Sequence, residues 1–259
     1  MSFKEILSKL FEIPHSIIIH GDLKTGKTDF SLFMCQKAFD YGLIEIAFTN
    51  IKIIDNKGYD IRIVRNNLEL EKYLKNLRKH RKRSMFILDE AGLIISSRRV
   101  LSKKNELFLK LARLSRKHFC TFVFITQRLQ DLDPALRSLC IGIFQKTSKK
   151  HAFLSSPLFE EEIELVNIPK TKIKFDEYDI AEFRYLTEEE AKKLVLKEVI
   201  TEEEFRILKA LKMFNFNFAK TARYLNIQGY KYRGSNDLRY DFIKIMKKII
   251  DAIETQIYE

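Results

Sequence analysis

No part of the sequence approaches the roughly 20 consecutive apolar residues that a helix needs to cross a bilayer. The segment Met1–Phe11 mixes charged and apolar residues and lacks the apolar core of a secretory signal. We therefore expect no integral membrane segment, and a protein that stays in the cytoplasm.

Cysteine is scarce and tryptophan is missing. The three cysteines, Cys35, Cys120 and Cys140, lie far apart in apolar surroundings, which favours reduced core residues over a disulfide framework. The five histidines show no spacing typical of metal ligands. The sequence therefore argues against a disulfide-stapled secreted domain and against a histidine-based metal centre.

Positive charge is in excess. The chain has 47 lysines and arginines against 35 acidic residues, a formal net charge of +12. Such an excess favours a polyanionic partner, either nucleic acid or an anionic membrane surface. The alternative is a lysine-covered surface without a polyanionic partner. The basic run at 78–83 leaves the same choice open, between a solvated helix end and a patch that faces DNA or phosphate.

A glycine-containing loop follows a short apolar run, Ile17–Ile19. The loop consists of Gly21, Asp22, Leu23, Lys24, Thr25, Gly26, Lys27 and Thr28. The spacing G-x4-G-K-T between a strand and a helix predicts a phosphate-binding loop. Its backbone N–H groups would form a nest for phosphate oxygens, to which the helix N-terminus adds its own N–H groups and dipole. Lys27 would reach the β- and γ-phosphates, and the Thr28 hydroxyl would ligate Mg²⁺.

An acidic pair follows a second apolar run at 84–88. Asp89 and Glu90 end this run in the pattern typical of a Walker B strand. Because side chains alternate along a strand, the two carboxylates should aim in different directions. We expect Asp89 to face Mg²⁺ and Glu90 to face the attacking water as a general base. A third apolar run, Cys120–Thr126, predicts a central parallel strand and ends in Gln127.

The remaining pattern predicts a three-layer α/β domain over residues 1–195. Strand-like segments at 51–54 and 60–64 flank a turn at 55–58, which predicts an inserted hairpin. Cys140–Phe144 predicts another strand. The pattern weakens between 149 and 200, where we expect the closing strands of the sheet and a linker helix that starts near Thr187.

Residues 201–259 predict a small all-α domain. Phe218–Ile227 has the pattern of the first helix and turn of a helix-turn-helix, with Ala222 at a helix crossing and Leu225 and Ile227 facing inward. A basic, tyrosine-containing stretch at 228–237 suits phosphate contacts. The alternative is a helical bundle that mediates oligomerisation.

With these motifs in place, the chain resembles the additional-strand, catalytic-glutamate class of P-loop ATPases, and within it the FtsK–HerA superfamily. That superfamily includes double-stranded DNA pumps, viral genome-packaging ATPases and Zot-like phage proteins. The resemblance covers about residues 14–150 and rests on three segments: GDLKTGKT (21–28), FILDEAG (86–92) and RLSRKHFCTFVFITQRLQDLDPALRSL (113–139). It implies that Gln127 is a polar sensor and that Arg116, or next Arg113, acts across a subunit boundary.

The resemblance implies an ATPase, with ATP and Mg²⁺ as cofactors, that moves or packages double-stranded DNA as a homo-oligomer. A hexameric ring is one form that such an oligomer takes in the family. The host cytoplasm would be its location if the source is viral. One alternative is an ATP-dependent replication initiator or regulator whose helix-turn-helix reads a DNA site. A second is a nucleotide-binding switch with little turnover, against which Glu90 argues.

Overall fold

The structure is a computed structural model that describes residues 1–97, 102–177, 182–187, 190 and 200–258. The chain divides into two compact units, Met1–Tyr185 and Leu186–Glu259. The predicted boundary between residues 195 and 201 overlaps residues 191–199, which lie outside the described residues. Most of the predicted linker helix also lies outside them. How function is divided between the two units stays a prediction.

The first unit is built on a large sheet. Within the described residues its strands are β1 (Ser16–His20), β2 (Ile46–Thr49), β3 (Ile53–Asp55), β4 (Ile61–Ile63), β5 (Ser84–Leu88), β6 (Cys120–Thr126), β7 (Cys140–Ser148), β8 (His151–Ser155), β9 (Ile163–Leu165) and β10 (Lys174–Phe175). Eight of them form one sheet in the order β4-β2-β5-β6-β1-β7-β8-β9. Neighbours from β4 to β7 are parallel, and β8 and β9 continue the sheet antiparallel. Strand β6 separates β5 from β1, which is the additional strand of the predicted class.

Helices cover this sheet. Within the described residues they are α1 (Phe3–Glu12), α2 (Lys27–Asp40), α3 (Asn67–His80), α4 (Ala91–Ile94), α5 (Lys103–Arg113), α6 (Ser115–His118) and α7 (Pro134–Leu139). Side-chain caps set several of their starts. Ser2, Asn66, Ser102 and Asp133 each accept a hydrogen bond from a backbone N–H of the first turn.

Strand alternation produces a separate core on each face of the sheet. Ile17 and Ile19 belong to one buried cluster, together with residues of α1 and α2 such as Phe30. Ile18 belongs to the opposite cluster, with residues of α3 and α5 such as Phe108. Because both faces are buried, the central strands are continuously apolar. The predicted three-layer α/β fold of a P-loop protein is confirmed.

The predicted hairpin at 51–64 is wrong. β3 pairs antiparallel with β10 in a separate two-stranded sheet, and β4 adds in parallel to the edge of β2. The turn is present, since the Tyr59 N–H donates to the Asn56 carbonyl at 3.1 Å. The backbone groups of the two strands find partners elsewhere, however, so the two segments do not pair with each other.

The second unit contains three helices within its described residues: α8 (Glu202–Met213), α9 (Phe218–Ile227) and α10 (Ser235–Tyr258). Their shared core includes Leu211, Ala222 and Leu225. Ile227, which the pattern places inward, is 82% exposed. It is the last residue of α9 and so lies beyond the buried stripe of that helix.

Among the described residues, no helix combines the length and the apolar character needed to cross a membrane.

Candidate active site

The residues of both predicted motifs meet at the carboxyl edge of the parallel strands. The glycine loop leaves β1 after His20, and the acidic pair follows β5. Between those strands lies β6, whose end brings Gln127 beside the loop, where the Gly21 N–H donates to the Gln127 carbonyl at 3.2 Å. Three segments that are distant in sequence therefore form one site.

The loop backbone depends on its two glycines. Gly21 has a φ of 152°, and a Cβ placed on it would lie 2.2 Å from the Lys146 carbonyl oxygen. Gly26 precedes α2 in the left-handed conformation, with φ 78°. Inside the loop, the Thr25 hydroxyl donates to the Asp22 carbonyl at 2.8 Å. The loop can adopt this shape because Gly21 and Gly26 carry no side chain.

Lys27 begins α2 and points back over the loop. Its Nζ donates to the carbonyl oxygens of Gly21, at 2.9 Å, and of Asp22, at 2.8 Å. Burial lowers the pKa of Lys27, and the negative charges of Glu90 and Asp89 oppose this shift. The ammonium is therefore held against the loop backbone, close enough to the two carboxylates to be affected by their charge.

Thr28 and Asp89 are in direct contact. The Thr28 hydroxyl donates to Asp89 Oδ2 at 2.8 Å. Burial raises the pKa of Asp89, while the hydrogen bonds from Thr28 and from the Glu90 N–H act in the opposite direction. Two oxygen donors are thus side by side at the end of the loop, which is the ligand type that Mg²⁺ prefers.

Asn50, which the sequence pattern does not single out, holds the backbone of Asp89. Its Nδ2 donates to the Asp89 carbonyl at 3.1 Å, and its Oδ1 accepts from the Asp89 N–H at 2.8 Å. Asn50 is buried and directly follows β2, the parallel neighbour of β5. A polar residue at the carboxyl end of a strand beside the acidic strand is the signal that could have identified it.

Glu90 has an unusual backbone. Its φ of 52° lies in the left-handed region, and both Asp89 and Glu90 come after the end of β5. Strand alternation therefore cannot set the directions of the two carboxylates, and that explanation is wrong. Burial, followed by the charge of Asp89, raises the pKa of Glu90, and a hydrogen bond from the Gln127 side chain lowers it.

The other wall of the site comes from segments that the sequence pattern did not assign to it. A cavity of about 590 Å³ contains Lys27, Thr28, Asp89 and Glu90. Its far side is lined by Lys149 and Lys150 in the β7–β8 turn, by residues 167–170, and by Phe175. Since β7 lies beside β1, a lysine pair just past that strand could have been placed here, but the predicted strand ended at Phe144.

The two candidate arginines lie far from this cavity. Arg113 ends α5 and Arg116 belongs to α6, and both are exposed at the amino end of β6. The loop lies at the carboxyl end of the parallel strand β1. With about 3.3 Å per residue, the length of β6 separates the arginines from the loop by about 20 Å. Neither arginine is brought to the site of its own chain.

This fold and this site define a P-loop nucleoside triphosphatase. Residues 17–148 match the family model described as the ATPase family associated with various cellular activities (AAA), and the chain belongs to that family. It is an ATP-binding enzyme that hydrolyses ATP. The family match and the fold are consistent with the resemblance to FtsK–HerA-type P-loop ATPases.

Several solved structures are similar to the chain at low sequence identity. The genome packaging NTPase B204 from Sulfolobus turreted icosahedral virus 2, in complex with ATP-gammaS, is 12% identical with a TM-score of 0.47, and the match covers 60% of this chain and 98% of that chain. The N-terminal domain of zonular occludens toxin from Neisseria meningitidis is 19% identical with a TM-score of 0.42, covering 62% and 96%. The cytoplasmic domain of the Type VII secretion ATPase EccC from Thermomonospora curvata is 18% identical with a TM-score of 0.42, covering 60% and 25%. No curated protein matches the sequence significantly.

Proposed function

We propose that the chain is an ATP-hydrolysing motor that translocates or packages double-stranded DNA, in a virus or a plasmid system. The ATP-hydrolysis part of this proposal rests on one observation. Lys27, the Thr28–Asp89 pair and the Glu90–Gln127 pair lie together at one edge of the sheet. These are the groups that phosphoryl transfer to water requires, since the reaction depends on positioning and on charge neutralisation.

In this proposal Glu90 is the general base. Its carboxylate accepts a proton from the attacking water as the new bond from oxygen to the γ-phosphorus forms. The bond from that phosphorus to the leaving oxygen breaks, and ADP departs with phosphate. Gln127, hydrogen bonded to Glu90, holds the carboxylate in position. Lys27 and the loop N–H groups bind the phosphate oxygens.

The Thr28 hydroxyl and the Asp89 carboxylate fit a magnesium ion. Their oxygens are 2.8 Å apart and adjoin the phosphate nest, and Mg²⁺ in such sites is held by one or two protein oxygens together with substrate phosphates. When bound, Mg²⁺ would neutralise charge on the β- and γ-phosphate oxygens. Ile168, Pro169 and Phe175 give the far wall of the cavity an apolar surface that suits the base of the nucleotide.

The second unit supports the DNA half of the proposal. Lys220, Arg223, Lys231 and Arg233 are exposed on α9 and on the loop that follows it. Within the described part of the chain, none of the four forms an ion pair. The loop is held by Asn226, whose side chain donates to the Tyr232 carbonyl at 2.8 Å and accepts from the Tyr232 N–H at 2.7 Å. Exposed cations on a held backbone suit phosphate contacts.

A second basic surface lies on the first unit. α6 packs against α3. Burial lowers the pKa of His118 in α6, the charge of Arg78 in α3 adds to this shift, and a hydrogen bond to the Leu74 backbone opposes it. The basic run at 78–83 therefore lies near the basic residues of α6. This proximity supports the interpretation of that run as a DNA-facing patch, in agreement with the net charge of +12.

The direct test is the ATPase rate of the full chain with and without double-stranded DNA. We expect DNA to stimulate hydrolysis, and Lys27→Ala to abolish hydrolysis under both conditions. If the wild-type rate is unchanged by DNA at low salt, the motor proposal fails, although the protein remains an ATPase.

DNA binding can be assigned to the second unit with charge variants. The double variant Arg223→Gln, Arg233→Gln should weaken duplex binding. The slope of the logarithm of the binding constant against the logarithm of the salt concentration should become shallower by about 0.9 for each lost phosphate contact. The matched control is Arg206→Gln, because Arg206 lies in the same unit but is already paired with Glu202 at 3.1 Å. Equal binding by the wild type, the double variant and Arg206→Gln would show that Arg223 and Arg233 do not contact DNA.

A replication initiator or regulator is the second candidate, and the compact three-helix unit with its exposed loop favours it. An initiator should prefer one DNA site over bulk duplex by a factor of about 10³ or more, whereas a motor should bind both alike. Competition with random-sequence duplex distinguishes the two functions.

A further inference from the structure

The turn between β7 and β8 lies against the phosphate loop. β7 is the parallel neighbour of β1, so its carboxyl end adjoins the loop that follows β1. A Cβ placed on Gly26 would lie 3.5 Å from Lys149 Cα and 3.6 Å from Lys149 Cγ. Lys149 and Lys150 both line the cavity that contains Lys27 and Thr28.

The backbone of this turn is held from two sides. Lys146, which is only 1% exposed, donates from Nζ to the Lys149 carbonyl at 3.3 Å. The Ile168 N–H donates to the Lys150 carbonyl at 3.0 Å. The Lys146 ammonium also lies 4.9 Å from the centre of the Phe30 ring. A turn anchored in this way presents its side chains at fixed positions, with little ordering left to occur on binding.

Lys149 and Lys150 bring two positive charges to the wall of the cavity. Both are exposed, and among the described side chains neither takes part in an ion pair. Two adjacent unpaired cations on the wall of a cavity that also contains a phosphate nest form a site for an anion. The turn meets the loop at Gly26, whereas Asp89 meets it at Thr28.

We propose that the β7–β8 turn is a second phosphate-binding element, in which Lys149 and Lys150 contact phosphate oxygens of the nucleotide bound to the loop of the same chain. Lys146 is its positioning residue. This inference rests on the nucleotide site proposed above. Because the turn adjoins Gly26 and not the Asp89–Glu90 side, its cations bind ATP and ADP alike. Such uniform binding lowers KM and leaves kcat unchanged.

The test uses full-length Lys149→Ala, Lys150→Ala and the double variant, with Lys75→Ala as the matched control because Lys75 is an exposed lysine on α3. Affinities for ADP, for a non-hydrolysable ATP analogue and for adenosine are measured by calorimetry, and kcat and KM by ATPase assay. We expect the double variant to bind both nucleotides about tenfold more weakly, as for the loss of a hydrogen bond to a charged group, with adenosine affinity and kcat unchanged.

Unchanged nucleotide affinity in the double variant, in a protein that still hydrolyses ATP, overturns the inference alone. Equal weakening of adenosine and ADP overturns it too, because the turn would then contact the nucleoside or only support the fold. A wild-type chain that binds no nucleotide overturns both the inference and the proposed function.

Lys146→Met tests the positioning role. Methionine keeps an unbranched side chain beside Phe30 but cannot donate to the Lys149 carbonyl. We expect ADP affinity to fall about threefold while the thermal midpoint does not fall, since the variant also removes a buried charge. Lys146→Arg should restore most of the affinity. A loss of thermal stability without a change in ADP affinity would mean that Lys146 is only structural.

Discussion

The hydroxyl of Thr28, in the first turn of α2, donates a 2.8 Å hydrogen bond to the carboxylate of Asp89, 61 residues away in sequence. This contact joins the phosphate loop after β1 to the acidic pair after β5, although β6 lies between the two strands. It fixes the distance between two oxygens that we propose as magnesium ligands. The relative positions of the phosphate loop and the acidic pair therefore depend on the Thr28–Asp89 contact.

Removal of the Thr28 hydroxyl should disrupt magnesium use. Thr28→Val keeps the shape of the side chain but removes the hydroxyl that donates a hydrogen bond to Asp89. We expect the ATPase rate to fall by about 100-fold, the upper range for lost metal-site contacts, and the magnesium requirement to rise. Thr28→Ser, which keeps the hydroxyl, should remain close to wild type. Titration of the rate with Mg²⁺ distinguishes the two variants, and equal rates would show that Thr28 is not a ligand.

Replacement of Glu90 should separate binding from hydrolysis. Glu90→Gln should bind ATP normally and lose about 10²–10⁴ in kcat, the usual contribution of a general base. Because burial and Asp89 raise the pKa of Glu90, wild-type kcat should fall on the acid side at a pH above the ordinary glutamate value. The variant should lack this limb of the pH–rate profile. Wild-type turnover by Glu90→Gln would exclude Glu90 as the base.

Stability gives a control for that experiment. The pKa of Glu90 is raised in the folded state, so the folded protein binds the proton more tightly than the unfolded chain does. Its contribution to stability is therefore present at low pH and is lost as the pH rises through the raised pKa. Glu90→Gln should not lower the thermal midpoint at pH 7, and the loss of kcat would then not be caused by unfolding.

Asn50 should act on hydrolysis through the backbone of Asp89. Asn50→Leu removes both hydrogen bonds to Asp89 and leaves a backbone N–H and a carbonyl unpaired. We expect a loss of about 1–3 kcal/mol in the free energy of unfolding and a fall in kcat of at least about tenfold. ADP affinity should change less than kcat, because both of these hydrogen bonds go to the backbone of Asp89. A variant with reduced stability but normal kcat would limit Asn50 to a structural role.

The two glycines Gly21 and Gly42 should respond differently to alanine. At Gly21 a Cβ would meet the Lys146 carbonyl oxygen at 2.2 Å, whereas at Gly42 nothing lies within 4 Å. Gly42 has a φ of 67°. Alanine at this position should lower the free energy of unfolding only by the cost of holding a non-glycine residue in the left-handed conformation, about 1–2 kcal/mol. Gly21→Ala must also move backbone, and should cost at least about 1–3 kcal/mol more. Denaturant unfolding of both variants measures the difference, and equal losses would contradict the predicted clash.

The sequence could predict the phosphate loop and the acidic pair because each motif is local. The spacing of Gly21, Gly26 and Lys27 specifies a loop shape, and the apolar run before Asp89 specifies a buried strand. The place of Gln127 beside these motifs was expected only from the family resemblance, since its own strand pattern specifies no neighbour. Each motif could be recognised without knowledge of distant pairing, whereas their meeting depends on the position of β6 between β5 and β1.

The far wall of the cavity could not be predicted, because it depends on pairing between distant segments. Whether Phe175 lines the cavity is set by the pairing of β10 with β3, which is far away in sequence. Nothing in the alternation of either short strand specifies that partner, and the same uncertainty produced the wrong hairpin. Ile227 shows a further limit, since periodicity does not reveal where a helix passes the end of its core.

The last prediction is that the active unit is an oligomer with a shared site. Arg116 is exposed at the amino end of β6, about 20 Å from the phosphate loop of its own chain by the length of that strand. No side chain spans that distance, so Arg116 can contact a reacting phosphate only if that phosphate belongs to the nucleotide of a neighbouring chain. Arg116→Ala should bind ATP normally and lose about 10³ or more in rate.

Mixing provides the decisive measurement. Arg116→Ala and Glu90→Gln proteins, each inactive alone, should recover part of the ATPase activity when combined, because some interfaces then contain an intact Glu90 and an intact neighbouring Arg116. Lys27→Ala mixed with Glu90→Gln is the matched control. Since both of those residues serve the site within one chain, that mixture should stay inactive. If mixed oligomers form and the first mixture also stays inactive, Arg116 does not act in trans, and Arg113, at the end of α5 on the same edge of the sheet, becomes the residue to test.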